Sequence, residues 1–114
     1  MGQLVGAHEG APGSKTLGAM TILWSPEAIE DLTSLRAHIA DDNPAAARGV
    51  VLHIMHNIEQ LLSGNPQMGR SGRVPGTREL IIPRTPFIVP YRLQRNTIQI
   101  LRVYHGARRW PESF

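Results

Sequence analysis

Residues 65–93 read N-P-Q-M-G-R-S-G-R-V-P-G-T-R-E-L-I-I-P-R-T-P-F-I-V-P-Y-R-L, and residues 98–111 read I-Q-I-L-R-V-Y-H-G-A-R-R-W-P. Asn65-Pro66 and the glycines at 69, 72 and 76 make a turn-rich loop. After it the apolar pattern takes the short, β-branched form of strands. Glu79-Leu80-Ile81-Ile82 is one run, ended by Pro83. Residues 87–93 form a second, and residues 98–104 a third. Pro90 inside the second run lacks a ladder donor, which predicts an edge position or a bulge. Arg95-Asn96 supplies a turn between the second and third runs, with Asn96 the residue suited to positive φ. Three consecutive strands with short links predict an antiparallel meander.

Upstream the period changes to that of helices. Ser25-Pro26-Glu27 gives an N-cap, a proline at the first helical position and an acid in the first turn. Ile29, Leu32, Leu35 and Ile39 then recur at three and four residues, predicting a helix over 26–41. Asn43-Pro44 repeats the cap, and Ala47, Val50, Val51, Ile54, Ile58, Leu61 and Leu62 make the apolar face of a second helix stopped at Gly64. The short break between them predicts an antiparallel helix hairpin. Thr21-Ile22-Leu23-Trp24 is a β-rich segment before it. The expected fold is α+β: a short N-terminal strand and a helix hairpin packed on an antiparallel β-meander. Residues 1–19 hold five glycines and no apolar period. They read as a flexible leader, an expression scar or a mis-called upstream start, that adds nothing to a core, with the folded domain at 20–114.

At 114 residues, 41% of them hydrophobic, the chain supports one globular core. No apolar run reaches the ~20 residues that a spanning helix needs. The absence of cysteine excludes disulfides, thiolate metal sites and Cys nucleophiles, and fits a reducing cytoplasm. The charge is uneven. Every basic residue except Lys15 is arginine, and only Arg36 and Arg48 precede Arg70. Most acids lie in the first half; after Arg70 only Glu79 and Glu112 remain. The second half therefore presents guanidinium forks suited to phosphate or carboxylate, on nucleic acid or on an acidic protein. A GC-rich genome also enriches arginine.

His53 and His56 are three apart on the second helix, a spacing able to hold a metal. No third ligand accompanies them, so they read as helix-surface residues, as does His38. No metal or cofactor is expected. The glycines at 69, 72 and 76 follow a helix and precede a strand, the reverse of a phosphate-binding loop.

The Gly/Arg loop, Thr77-Arg78-Glu79-Leu80, Pro90-Tyr91-Arg92 and the ending Leu101-Arg102-Val103-Tyr104-His105-Gly106 resemble the ParE toxins of the RelE/ParE superfamily, the toxic halves of bacterial toxin–antitoxin pairs. The resemblance runs in register over roughly residues 20–111. It implies a non-enzymatic, cytoplasmic toxin that binds and poisons bacterial DNA gyrase. It also implies a partner antitoxin, ParD-like or otherwise acidic and partly disordered, with no membrane and no sequence-specific nucleic-acid contact. The residues expected to bind antitoxin or target are Arg78, Arg92, Arg102, Arg108, Arg109 and Trp110.

The RelE branch of the superfamily instead cleaves messenger RNA on the ribosome. Its basic residues on the first meander strand correspond here to Glu79 and Ile81. Its arginine three before the second-strand tyrosine corresponds to Ile88, since Tyr91 is that tyrosine. Arg108 retains the basic residue after the last strand, and the terminal tyrosine of RelE finds no match before Phe114. No catalytic residue is expected on the gyrase reading. A ribonuclease would have to work with His105, Arg108 and Arg78. A third reading is a degenerate, non-toxic module kept for binding its antitoxin.

Overall fold

The computed structural model describes the backbone of residues 14–17 and all of residues 20–114. Most of the expected leader, residues 1–13 and 18–19, lies outside the described residues. The strands are β1 (Ser14–Leu17), β2 (Met20–Trp24), β3 (Arg70–Ser71), β4 (Arg78–Ile81), β5 (Phe87–Gln94), β6 (Thr97–Ile100) and β7 (Tyr104–His105). The helices are α1 (Pro26–Ala40) and α2 (Pro44–Gly64). The α+β arrangement, with a helix hairpin on a meander, is the one expected from the sequence.

Both helix starts follow from their caps. Ser25 Oγ accepts the Ala28 N–H at 3.0 Å, and Asn43 Oδ1 accepts the Ala46 N–H at 3.1 Å. Ser25 Oγ also donates to the Leu101 carbonyl at 2.7 Å, tying the start of α1 to the end of β6. In α2 the buried stripe is Ala47, Ile54, Ile58 and Leu62. In α1 it is Ala28 and Leu32, while Ile29, expected on the apolar face, is exposed. α1 packs against α2, and Ile29 and Leu32 line a groove between the two helices with Val51 and Met55.

The sheet order is β1-β2-β6-β5-β4-β3, with β7 also paired to β5. β4, β5 and β6 form the expected antiparallel meander. β2 joins it in parallel on β6, aligning Ile22 with Ile98, so the sheet is mixed. β1 pairs antiparallel with β2, a strand that the reading of 1–19 as leader does not contain. Alternation places Ile22, Leu80, Val89, Tyr91, Ile98 and Ile100 on the helix side, where they form the core with Ile54, Ile58 and Leu62. Glu79, Ile81, Ile88, Arg92 and Gln99 take the outer face.

The expected third strand, 98–104, is two strands broken at residues 101–103. The break has a cause. The Leu101 carbonyl accepts from Ser25, and the Val103 N–H donates to the Asp31 carboxylate at 2.9 Å, so these backbone groups turn toward α1. Pro90 lies opposite the break. Its carbonyl accepts from Leu101 N–H, so its missing donor faces the interrupted stretch, inside the sheet and not at an edge. The β5–β6 turn places Arg95, not Asn96, at positive φ (50°).

Candidate functional site

The outer face is organised by one buried carboxylate. Glu79 is 2% exposed. Its Oε1 accepts from Arg70 Nε at 3.2 Å and Nη2 at 3.0 Å. Its Oε2 accepts from the Arg73 backbone N–H at 2.7 Å and from Arg73 Nε at 3.2 Å. Burial pushes the Glu79 carboxyl up, but the Arg73 backbone N–H and the two guanidiniums outweigh it. The net result holds the carboxyl below its ordinary range. The ion pairs fasten the 70–76 loop over the outer face.

Tyr91 fastens the chain just before this loop from the helix side. Its hydroxyl accepts the Gly69 N–H at 2.8 Å and donates to the Pro66 carbonyl at 2.7 Å. Burial raises the Tyr91 phenol above its ordinary range, against the Gly69 hydrogen bond and the charge of Arg78. Glycine is required at 69: a Cβ there would stand 2.6 Å from the Tyr91 ring and 2.9 Å from the Glu79 carbonyl.

From Arg73 the network continues into the C-terminal segment. The Arg73 guanidinium lies 3.9 Å from the Trp110 ring centroid. Trp110 meets Tyr104 edge-on at 5.1 Å, and Phe114 stands 6.2 Å from Tyr104. Arg102 and Arg108 both lie over the Tyr104 ring, at 4.7 and 4.4 Å. Arg102 also forms a two-point pair with Asp31 of α1, both contacts at 2.8 Å. The Asp31 hydrogen bonds raise the Arg102 pKa, with burial opposing. Carboxylates thus anchor the network at both ends, and between them the arginines flank a cluster of aromatic rings.

Arg92, Arg102, Arg108, Arg109 and Trp110, all expected as binding residues, line a single cavity of about 680 Å³ on this face. Arg78 is apart from them. It is in register with Tyr91, hence on the helix side, and its guanidinium donates to the Gln67 and Gly69 carbonyls. The three residues that a ribonuclease would need are also separated. His105 is in register with Phe87 on the helix side, its ring edge-on to Phe87 at 5.9 Å, and its Nδ1 accepts the Ala107 N–H. Arg78 and His105 sit opposite Tyr91 and Phe87, about 13 Å apart along β5. Arg108 lies over Tyr104, on the outer face. His53 contacts the Pro83 carbonyl and Asn57, and no group of three or more metal-ligating side chains occurs among the described residues.

Sequence reasoning missed Arg70, Arg73 and Asp31 as the residues that shape this face. The usable signal was a lone acid, Glu79, in an arginine-rich stretch: a single carboxylate among guanidiniums is a candidate hub.

A helix hairpin packed on an antiparallel meander, with an arginine and aromatic outer face, is the architecture of the RelE/ParE fold. The profile of the ParE toxins of type II toxin–antitoxin systems (parDE) matches residues 22–110, and the chain belongs to this family. It is similar to protein Y4kP of Sinorhizobium fredii, 38% identical over 91 residues covering 80% of this chain and 93% of that one. It is also similar to toxin RelE2 of Caulobacter vibrioides, 26% identical over 87 residues covering 76% and 96%. Among solved structures, a chain of the chromosomal ParDE system from P. aeruginosa aligns with a TM-score of 0.69 and 32% identity, covering 76% of this chain and 96% of that one.

Proposed function

We propose that this chain is a cytoplasmic toxin that arrests growth by binding DNA gyrase and is neutralised by an acidic, partly disordered cognate antitoxin. One observation carries the reading. Three outer-face positions where a ribonuclease of this fold carries positive charge hold Glu79, Ile81 and Ile88. Glu79 is anionic and buried under two arginines, and Ile81 is a half-exposed hydrocarbon. Neither can neutralise a phosphate, and losing one such contact typically costs ~10²–10³ in rate. An arginine-lined cavity beside aromatic rings instead suits a protein surface bearing carboxylates.

The 26% identity to a RelE toxin favours the second reading, ribosome-dependent messenger RNA cleavage. The two separate on expression in bacteria. On the gyrase reading, His105→Ala leaves growth arrest intact and cellular messenger RNA uncut, since this side chain meets the Phe87 ring and accepts the Ala107 N–H, both local contacts. Site-specific cleavage that disappears in a folded His105→Ala protein establishes the ribonuclease instead.

A further inference from the structure

We propose that two copies of this chain pair through the groove between α1 and α2, as a two-fold, antiparallel dimer. The proposal goes beyond the functional reading above and does not depend on the toxin's target.

The hairpin carries more apolar surface than the sheet covers. Each helix turns one stripe to the core. Between the helices runs a second apolar surface, a groove of about 350 Å³ lined by Trp24, Ile29, Leu32, Val51 and Met55. A smaller hollow adjoins it, where Arg36 and Val51 meet Arg48 and Leu52. Leu52 is 53% exposed and Ile29 38% exposed. A surface helix normally opposes its core stripe with polar residues. A second contiguous apolar surface marks a contact site.

The charge pattern names the occupant. Because the helices run antiparallel, the end of α1 lies beside the start of α2. Arg36 and Arg48 therefore share one end of the groove, where both line the same hollow. Glu30 is exposed toward the other end, about 9 Å back along α1 from Arg36. It stands one turn before Thr33, which lines the groove. Among the described residues neither arginine nor Glu30 has an ion-pair partner, and Asp41 and Asp42 in the turn pair with neither arginine. An apolar centre with cations at one end and an anion at the other is complementary to itself after a half-turn. In that pairing Leu52 of each copy covers the groove of the other, and Arg36 faces Glu30 across the axis. A parallel pairing would set the arginines against one another. A uniformly acidic segment would meet the arginines but be repelled by Glu30. Residues 1–13 hold no arginine or lysine to meet Glu30. Four helices packed around a shared apolar seam are a standard way to bury such surfaces.

The test is sedimentation equilibrium of the full-length protein from roughly 1 to 300 µM, with circular dichroism to check the helices of each variant. A reversible dimer of twice the 12.6 kDa chain mass is expected. Leu52→Glu, at an exposed position, is expected to weaken association at least about tenfold by placing a charge in the apolar seam. Ile81→Glu changes a comparably exposed side chain on the outer face of the sheet and is expected to alter it less than about twofold. Arg36→Glu and Glu30→Arg are each expected to weaken it about fivefold, since a two-fold interface repeats every change. Mixed one to one, these two variants are expected to regain wild-type affinity as a heterodimer, because each meets the other's altered charge. A monomer at every concentration overturns the proposal and leaves the groove to residues 1–13 or to another protein. A dimer that survives Leu52→Glu, one that Ile81→Glu dissociates equally, or a mixture no tighter than the single variants overturns it as well.

Discussion

Glu79→Ala is expected to lower the free energy of unfolding by about 2–4 kcal/mol, a fall of roughly 10–25 °C in midpoint temperature for a domain of this size. The carboxylate accepts from two guanidiniums and one backbone N–H while almost fully buried. Its removal leaves the Arg73 N–H without its acceptor and releases the 70–76 loop. The loss stays below that of a fully buried pair because Arg70 and Arg73 are 51% and 43% exposed and can be rehydrated. The sign of the pH dependence follows from the lowered carboxyl pKa. A carboxyl held down in the folded state binds its proton first in the unfolded state. Its contribution is therefore complete above the unfolded value of about 4.3 and is lost as pH falls from there through the lower folded value. Denaturant melts of wild type and Glu79→Gln should differ most near neutrality and converge in acid. A stability gap that stays constant from pH 6 to pH 3 would contradict the assignment.

The second large effect lies at the other end of the network. Asp31→Ala is expected to cost about 2–4 kcal/mol, since Asp31 receives two contacts from Arg102 and the Val103 N–H. Both partners are largely covered, with side chains 13% and 24% exposed, so solvent screening is weaker than at a surface pair. A double-mutant cycle with Arg102→Ala should return a coupling of about 1.5–3 kcal/mol. The loss reaches further than stability, because Asp31 holds the break at 101–103 and with it the placement of Arg102 over Tyr104. A coupling under about 0.5 kcal/mol would reduce the pair to an ordinary surface contact.

The helices were legible in the sequence because their signals are local. Ser25-Pro26 and Asn43-Pro44 each pair a cap with a proline, and the structure starts α1 and α2 at those prolines. The meander was legible for the same reason, from short β-rich runs between turn residues. The break at 101–103 was not, since it depends on Ser25 and Asp31, more than 70 positions away in sequence. Periodicity reports which side of a strand is apolar; it carries no term for a distant carboxylate that claims a backbone N–H. Pro90 did hint at the break, but a missing donor reads equally as an edge or an interruption. The parallel pairing of β2 on β6 was hidden likewise, because strand order is a tertiary property.

The residues expected to bind a partner were chosen from a charge imbalance and not from geometry. Arg92, Arg102, Arg108, Arg109 and Trp110 do converge on one cavity. Arg78 does not, because the register places it opposite Tyr91 on the helix side, and a one-residue shift in register reverses the face. Glu79 drew notice only as a basic residue lost. Its part as the hub of Arg70 and Arg73 required the fold of the loop.

The most direct test of the account is a supercoiling assay. Purified full-length protein is added to DNA gyrase with relaxed plasmid and, in parallel, to translating ribosomes with a defined messenger RNA. Block of supercoiling with the messenger RNA left intact is the predicted result. Active gyrase together with cleaved messenger RNA would contradict it.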